Sequence, residues 1–292
     1  MDALDRPGLV RDDEVFLRMN RTERLQHILL IVSFSLLVLT GLPLMFSEWP
    51  FVKAVFAFGR IFYYRGLVHR AAAVLLIIDV AWHLAYTVLT SRGRRNFREL
   101  LPGRKDALDA VVLFGYNVGL TRWLYQKGVG RRFFDRHPFW KFERPPEYGR
   151  YNFIEKMEYL AVAWGSLVMI ASGFFMWNVE LSLRFFPLWL HDIFVIAHGY
   201  EAMLAFLAII IWHMYNVHLN PEVFPMSRVW LDGKITGHEL RTLHPLEYRK
   251  IQAERGQAAN APAGGPVDDA GSGSAQGSSG PADGGPVPAD QP

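Results

Sequence analysis

The chain has 292 residues, of which 51% are hydrophobic, 14% aromatic and only 20% charged. That balance is too apolar for a water-soluble domain and suits a lipid solvent. The formal charge of +3 gives no support for nucleic-acid binding, which calls for a basic patch on a folded soluble face, so no nucleic-acid partner is expected. The absence of cysteine excludes disulfides, thiolate-held iron–sulfur clusters and haem attachment through C-x-x-C-H within the chain. Any redox cofactor held here must be held by histidine.

Residues 1–26 read as a charged lead-in holding Asp2, Asp5, Arg6, Arg11, Asp12, Asp13, Glu14 and Arg18. No apolar stretch precedes the first span, so no cleavable signal peptide is expected. Four windows approach or exceed the roughly 20 apolar residues that cross a bilayer: 28–46, 67–90, 157–178 and 192–217. The expected fold is an all-α membrane protein, a four-helix transmembrane bundle over residues 27–219. Lys and Arg number 5 in residues 1–26, 15 in 91–156 and 6 in 220–292, against 3 in 47–66 and 1 in 179–191. This asymmetry predicts cytoplasmic N- and C-termini and a cytoplasmic central loop.

Residues 47–66 form a short external loop rich in aromatics. In the loop 91–156, the stretch 106–125 is moderately apolar but interrupted by Gly115, Asn117, Gly119 and Arg122; it predicts a helix lying at the membrane surface rather than a fifth span. Residues 130–150 read as irregular. Residues 220–255 form a polar cytoplasmic segment, and from 256 the Gly, Pro, Ala, Ser and Asp composition predicts a disordered tail. Apart from the histidine pattern, no internal repeat is evident.

Six of the ten histidines lie in or at the ends of spans: His27, His69, His83, His198, His213 and His218. His69 and His83 are 14 apart, and His198 and His213 are 15 apart. At about 100° and 1.5 Å per residue, each pair shares a helix face with about 21–23 Å between its members. His69 and His198 fall near the outer leaflet, while His83, His213 and His27 fall near the inner one. Two levels of facing imidazoles are what two bis-histidine haems stacked across a membrane require.

Asp79, four residues before His83, and Glu201, three after His198, can share a face with their histidines. A ligating imidazole usually donates its other N–H to an acceptor such as a carboxylate; proton transfer and an interhelical hydrogen bond are the other roles open to them. His218 points about 140° away from His213 and suits the interface. His137, His191, His238 and His244 read as ordinary surface histidines.

Several stretches carry a family resemblance: "RTERLQHILL" with "LTG" around His27, "GLVHRAAAV" around His69, "GRYNFIEKM" before the third span, "AHGYEAMLA" and "WHMYNVH" in the fourth, and "LDGKITGHELRTLHPLEYRK" after it. Over about 21–250 the chain resembles the di-haem cytochrome b (gamma) subunit of membrane-bound formate dehydrogenases and the cytochrome b subunit of nickel–iron hydrogenases. "TGLP", the second histidine of span two and "HLNPEVFPM" make it similar to a branch associated with multihaem c-type cytochromes. The resemblance implies His69 and His198 as ligands of an outer haem and His27 and His213 as ligands of an inner one. His83 competes with His27 for the inner position, and the spacing of 15 in the fourth span departs from the 14 of the formate dehydrogenase type. A third haem, using His27 or His218, stays open. The resemblance also implies a quinone beside the inner haem, with Asn152 near it; Asn152 equally suits the N-cap of the third span.

The expectation is thus a multi-pass subunit of the bacterial cytoplasmic (inner) membrane. It would hold two b haems, with three possible, and pass electrons between an outer-side dehydrogenase or multihaem c-type cytochrome and menaquinone or ubiquinone. As such it would be the electron-transfer subunit of a quinone-linked oxidoreductase complex. The rival readings are a haem-free proton-coupled transporter using Asp79, Glu201 and the histidines, and a structural anchor.

Overall fold

The computed structural model describes residues 10–57 and 60–260. The first nine residues of the lead-in and the expected disorder beyond 260 lie outside the described residues. Strand β1 (Val15–Leu17) precedes α1 (Arg21–Met45); α2 (Pro50–Ala57) sits in the first connection and α3 (Ile61–Leu89) returns. The long connection carries α4 (Ser91–Leu100), α5 (Arg104–Val118), α6 (Leu120–Gln126) and α7 (Arg131–Arg136), and leads into α8 (Phe153–Trp177). Then come α9 (Val179–Phe185) and α10 (Leu188–Leu207), which continues in wider π-type turns over Ala208–His213 and Tyr215–Leu219. The chain then forms α11 (Val229–Asp232), β2 (Lys234–Thr236), α12 (Gly237–Leu243) and α13 (Pro245–Asn260).

Among the described residues four helices are long and apolar enough to cross a membrane: Arg21–Met45, Tyr63–Leu89, Phe153–Trp177 and Leu188–Leu219. The expected all-α, four-span class holds. α1 packs on α3 and α10, and α8 on α10 and α3, which closes the bundle. Ser33, Ala72, Gly165 and Ser172 are buried at these seams, because small residues let helices approach closely where lipid supplies no hydrophobic drive between them. Leucine, isoleucine and valine side chains cover the outward faces.

The first and third spans begin earlier than hydropathy indicates because their polar first turns are capped. Asn20 Oδ1 accepts the Glu23 N–H at 2.8 Å and Glu23 Oε2 accepts the Asn20 N–H at 2.8 Å. Asn152 and Glu155 repeat the arrangement at 2.7 Å each. Such capping boxes satisfy helix donors that otherwise have no partner.

The stretch 106–125 is helical and not among the membrane-length helices, as expected; it is two helices, divided at Gly119, whose φ of +65° is a left-handed conformation that glycine adopts without steric cost. One loop reading needs correction. Within 130–150, α7 and a 3-10 turn at Pro138–Lys141 replace the expected irregular chain. The terminal helix also runs to Asn260, five residues into the stretch assigned to the tail.

Beneath the bundle, the polar segments form a clasp. β1 and β2 pair antiparallel, Phe16 opposite Ile235. Buried Arg18 donates to Glu247 Oε2 at 2.7 Å and to the Arg150 carbonyl, and Arg150 donates to the Arg18 carbonyl at 3.0 Å and to Glu247 Oε1 at 3.2 Å. His244, read from sequence as a surface residue, is buried here. Its Nδ1–H donates to the Gly149 carbonyl at 2.8 Å, and Nε2 lies 3.3 Å from Arg18 Nη2. Burial, followed by the nearby Arg18 cation, pushes its pKa down to about 3, so it stays neutral.

Candidate functional site

The site is built by a repeat. Seven positions of α1 and its N-cap have counterparts in α8 and its N-cap at a constant offset of 132, three of them identical: Asn20 and Asn152, Glu23 and Glu155, Gln26 and Glu158, His27 and Tyr159, Ser33 and Gly165, Thr40 and Ser172, Gly41 and Gly173. α3 and α10 follow, His69 matching His198 and His83 matching His213. The bundle is therefore two copies of one helical hairpin. Both copies start on the clasp side, the mark of a parallel repeat. The sequence reading missed it because few of these pairs are identical. The π-type turn at Ala208–His213 adds a residue to α10, which explains a spacing of 15 between its histidines against 14 in α3.

At the end far from the clasp, His69 and His198 face each other with ring centroids 6.4 Å apart. Each is held by a hydroxyl from the preceding helix of its own hairpin. Thr40 Oγ1 donates to the Leu36 carbonyl at 2.5 Å and accepts from His69 Nδ1 at 2.8 Å. Ser172 Oγ donates to the Val168 carbonyl at 2.6 Å and accepts from His198 Nδ1 at 2.9 Å. Because each hydroxyl proton goes to a carbonyl, each Nδ1 carries the imidazole proton and leaves the Nε2 lone pair free. The rings pack closely on glycine: a Cβ on Gly41 or Gly173 would stand 3.1 Å from Cε1 of His69 or His198 respectively, so the ring would have to give by a few tenths of an ångström.

At the clasp end, His27 and His213 have ring centroids 6.5 Å apart. Glu158 Oε2 accepts from His213 Nδ1 at 3.1 Å, again committing the Nδ1 proton. His27 Nδ1 is buried with no hydrogen-bond partner.

His83 stands apart from that pair. Its Nδ1 meets Gln26 Oε1 at 3.2 Å and its Nε2 meets the Tyr159 hydroxyl at 3.1 Å, so both nitrogens are engaged. Neither expected carboxylate receives the imidazole proton of its own helix neighbour. The acceptors come from adjacent helices, because residues three or four apart on one helix lie side by side while imidazole N–H groups point across the seam. Asp79 is buried and its Oδ1 has no partner. Glu201 lies against α8, where a Cβ on Gly165 would approach its Oε1 to 2.8 Å. Asn152 is the α8 N-cap. Thr40, Ser172, Glu158 and Tyr159 were not singled out from sequence, and the constant offset is the signal that finds them.

These residues fit a haem iron. A metal–imidazole bond of about 2 Å on each side would put ring centres about 6 Å apart, and the ring-centroid separations of the two His–His pairs, 6.4 and 6.5 Å, would suit a haem held between them. Among the described residues no group of three or more His, Cys, Asp or Glu side chains could hold a bare metal ion. Pairs of imidazoles on facing helices are instead what a haem needs from the protein.

A family model, prokaryotic cytochrome b561, matches residues 18–225. A search among curated proteins found no match. With its four membrane-length helices, the chain belongs to the prokaryotic cytochrome b561 family of membrane proteins that transfer electrons through b-type haem.

Proposed function

We propose that this chain holds two b haems at two depths, that His69 and His198 would hold one at the far end and His27 and His213 the other at the clasp end, and that His83 is not a ligand. The observation that carries this reading is the near-equal separation of two imidazole pairs, 6.4 and 6.5 Å, beside the direct hydrogen bond that engages His83. Haem supplies the one-electron chemistry; the chain supplies orientation and a dry surround. Thr40 and Ser172 fix the tautomer of the far pair, and Glu158 makes His213 a more basic ligand.

The excess of Lys and Arg on the clasp side supports a cytoplasmic clasp in a bacterial cytoplasmic membrane, with the far pair toward the outer surface. The resemblance to formate dehydrogenase and hydrogenase cytochrome b subunits supports an outer-side dehydrogenase or multihaem c-type cytochrome as partner. It likewise supports menaquinone or ubiquinone exchange near the clasp-end pair, with the Asn152 amide available as a donor. In this reading the chain is the electron-transfer subunit of a quinone-linked oxidoreductase.

The test is haem extraction and reduced-minus-oxidised spectra on four purified alanine variants. His69→Ala and His198→Ala should lose one and the same haem, and His27→Ala and His213→Ala the other. Retention of both haems in any of the four contradicts the assignment.

A further inference from the structure

The repeat puts two equivalent crossings at the clasp-end level. In one, His213 of α10 faces His27 of α1 across 6.5 Å. In the other, His83 of α3 faces Tyr159 of α8, with ring centroids 5.8 Å apart and a 3.1 Å hydrogen bond between Nε2 and the hydroxyl. Position 26 in the first hairpin and 158 in the second serve the two histidines alike: Gln26 meets His83, as Glu158 meets His213. The second crossing therefore keeps the build of the first but presents a phenol where the first presents an imidazole.

We infer that the His83–Tyr159 crossing is the binding site for a quinone headgroup, reached from the lipid through the α3–α8 seam. This deepens the quinone reading above and rests on it. Three features point to the ligand class. The site lies inside the span of both helices, so its ligand must be lipid-soluble. Its polar groups are an imidazole and a phenol, and the phenol can donate to a carbonyl oxygen or accept from a hydroxyl. Phe97 of α4 lies against Tyr159 with ring centroids 6.4 Å apart, which supplies an aromatic edge for a flat ring. Around it stand Thr87, whose Oγ1 is 3.5 Å from His83 Nε2, and, closer to the aqueous boundary, a polar cluster. In that cluster Glu23 accepts from Tyr86, Arg92 and Asn96 at 3.0, 3.0 and 2.7 Å. A headgroup oxygen would take up the Tyr159 O–H that now goes to His83 Nε2.

The experiment is a fluorescence-quench titration of the purified, haem-loaded protein with a fluorescent hydroxyquinoline N-oxide as the quinone analogue, with haem per chain measured on the same samples. Tyr159→Phe and His83→Gln should each weaken binding at least tenfold with two haems retained, and Asn152→Asp should weaken it less. Saturable wild-type binding that both substitutions leave within twofold overturns the inference while the quinone reading stands. So does a loss confined to Asn152→Asp. Loss of haem in His83→Gln overturns the assignment of His83, and Tyr159→Phe then decides whether the phenol binds. No saturable binding to the wild type removes the quinone reading itself, and the inference with it.

Discussion

Tyr159 holds in the second hairpin the position that His27 holds in the first, and it meets His83 through a 3.1 Å hydrogen bond. The two hairpins are thus alike in packing and unlike in chemistry at one depth. That difference sets what each half of the bundle can bind and makes the account testable residue by residue.

The hydroxyls behind the far-end histidines give the first prediction. Thr40→Val and Ser172→Ala each remove the acceptor of an imidazole proton. Loss of such an outer partner weakens ligand binding by about 10–100-fold. Transfer of haem to apomyoglobin, followed spectroscopically, should be faster for one haem in both variants and unchanged for the other.

Steric contact gives the second. A Cβ at Gly173 comes within 3.1 Å of the His198 ring, tight enough to require that ring to give way, and valine adds further bulk. Gly173→Val should lose the far-end haem and keep the clasp-end one, and Gly41→Val should do the same through His69. Two retained haems in both would show that the rings have room to shift.

For Asn152 the two roles separate by substitution. Asn152→Ala removes the acceptor that caps α8, at a cost of about 1 kcal/mol, and also removes the amide donor. Asn152→Asp keeps the cap acceptor, removes the donor and adds a carboxylate charge at the helix N-terminus. Both variants should retain haem and weaken quinone-linked turnover in a stopped-flow assay. Wild-type turnover at every quinone concentration in both would sink the assignment.

The clasp carries a pH dependence. His244 has a pKa of about 3 in the folded protein against an ordinary value of 6.5, through burial and then the Arg18 cation, with Arg150 acting in the same sense. Below pH 6.5 the unfolded chain binds the proton and the folded one does not, so stability from this group is full above that value and falls as pH drops toward 3. Hydrogen exchange of α12 and α13 should rise across this window, and His244→Asn should show a flatter profile. Equal slopes would contradict the origin of the effect.

How much of this was legible in the sequence follows from the range of each interaction. The four spans are local runs of apolar residues, and His27, His69, His198 and His213 are conspicuous in them because an imidazole in a span needs a reason. Thr40 and Ser172 are inconspicuous, since a hydroxyl in a span readily bonds its own helix and gains meaning only from the ring that it meets on the next helix. The rivalry between His27 and His83 for His213 could not be settled by spacing, because a π-type turn changes the register of α10 without leaving a compositional trace. The clasp was hidden for the same reason at longer range: Arg18 and Glu247 meet across 229 residues of chain, and His244 was misread as exposed because nothing next to it in sequence buries it.

The most direct test of the account is haem per polypeptide in the purified wild type and in His83→Ala, measured by extraction alongside the reduced-minus-oxidised spectrum. The account predicts two b haems in both. Three in the wild type with two in the variant would make His83 a ligand, and none in a folded, haem-supplied wild type would contradict the paired-histidine reading altogether.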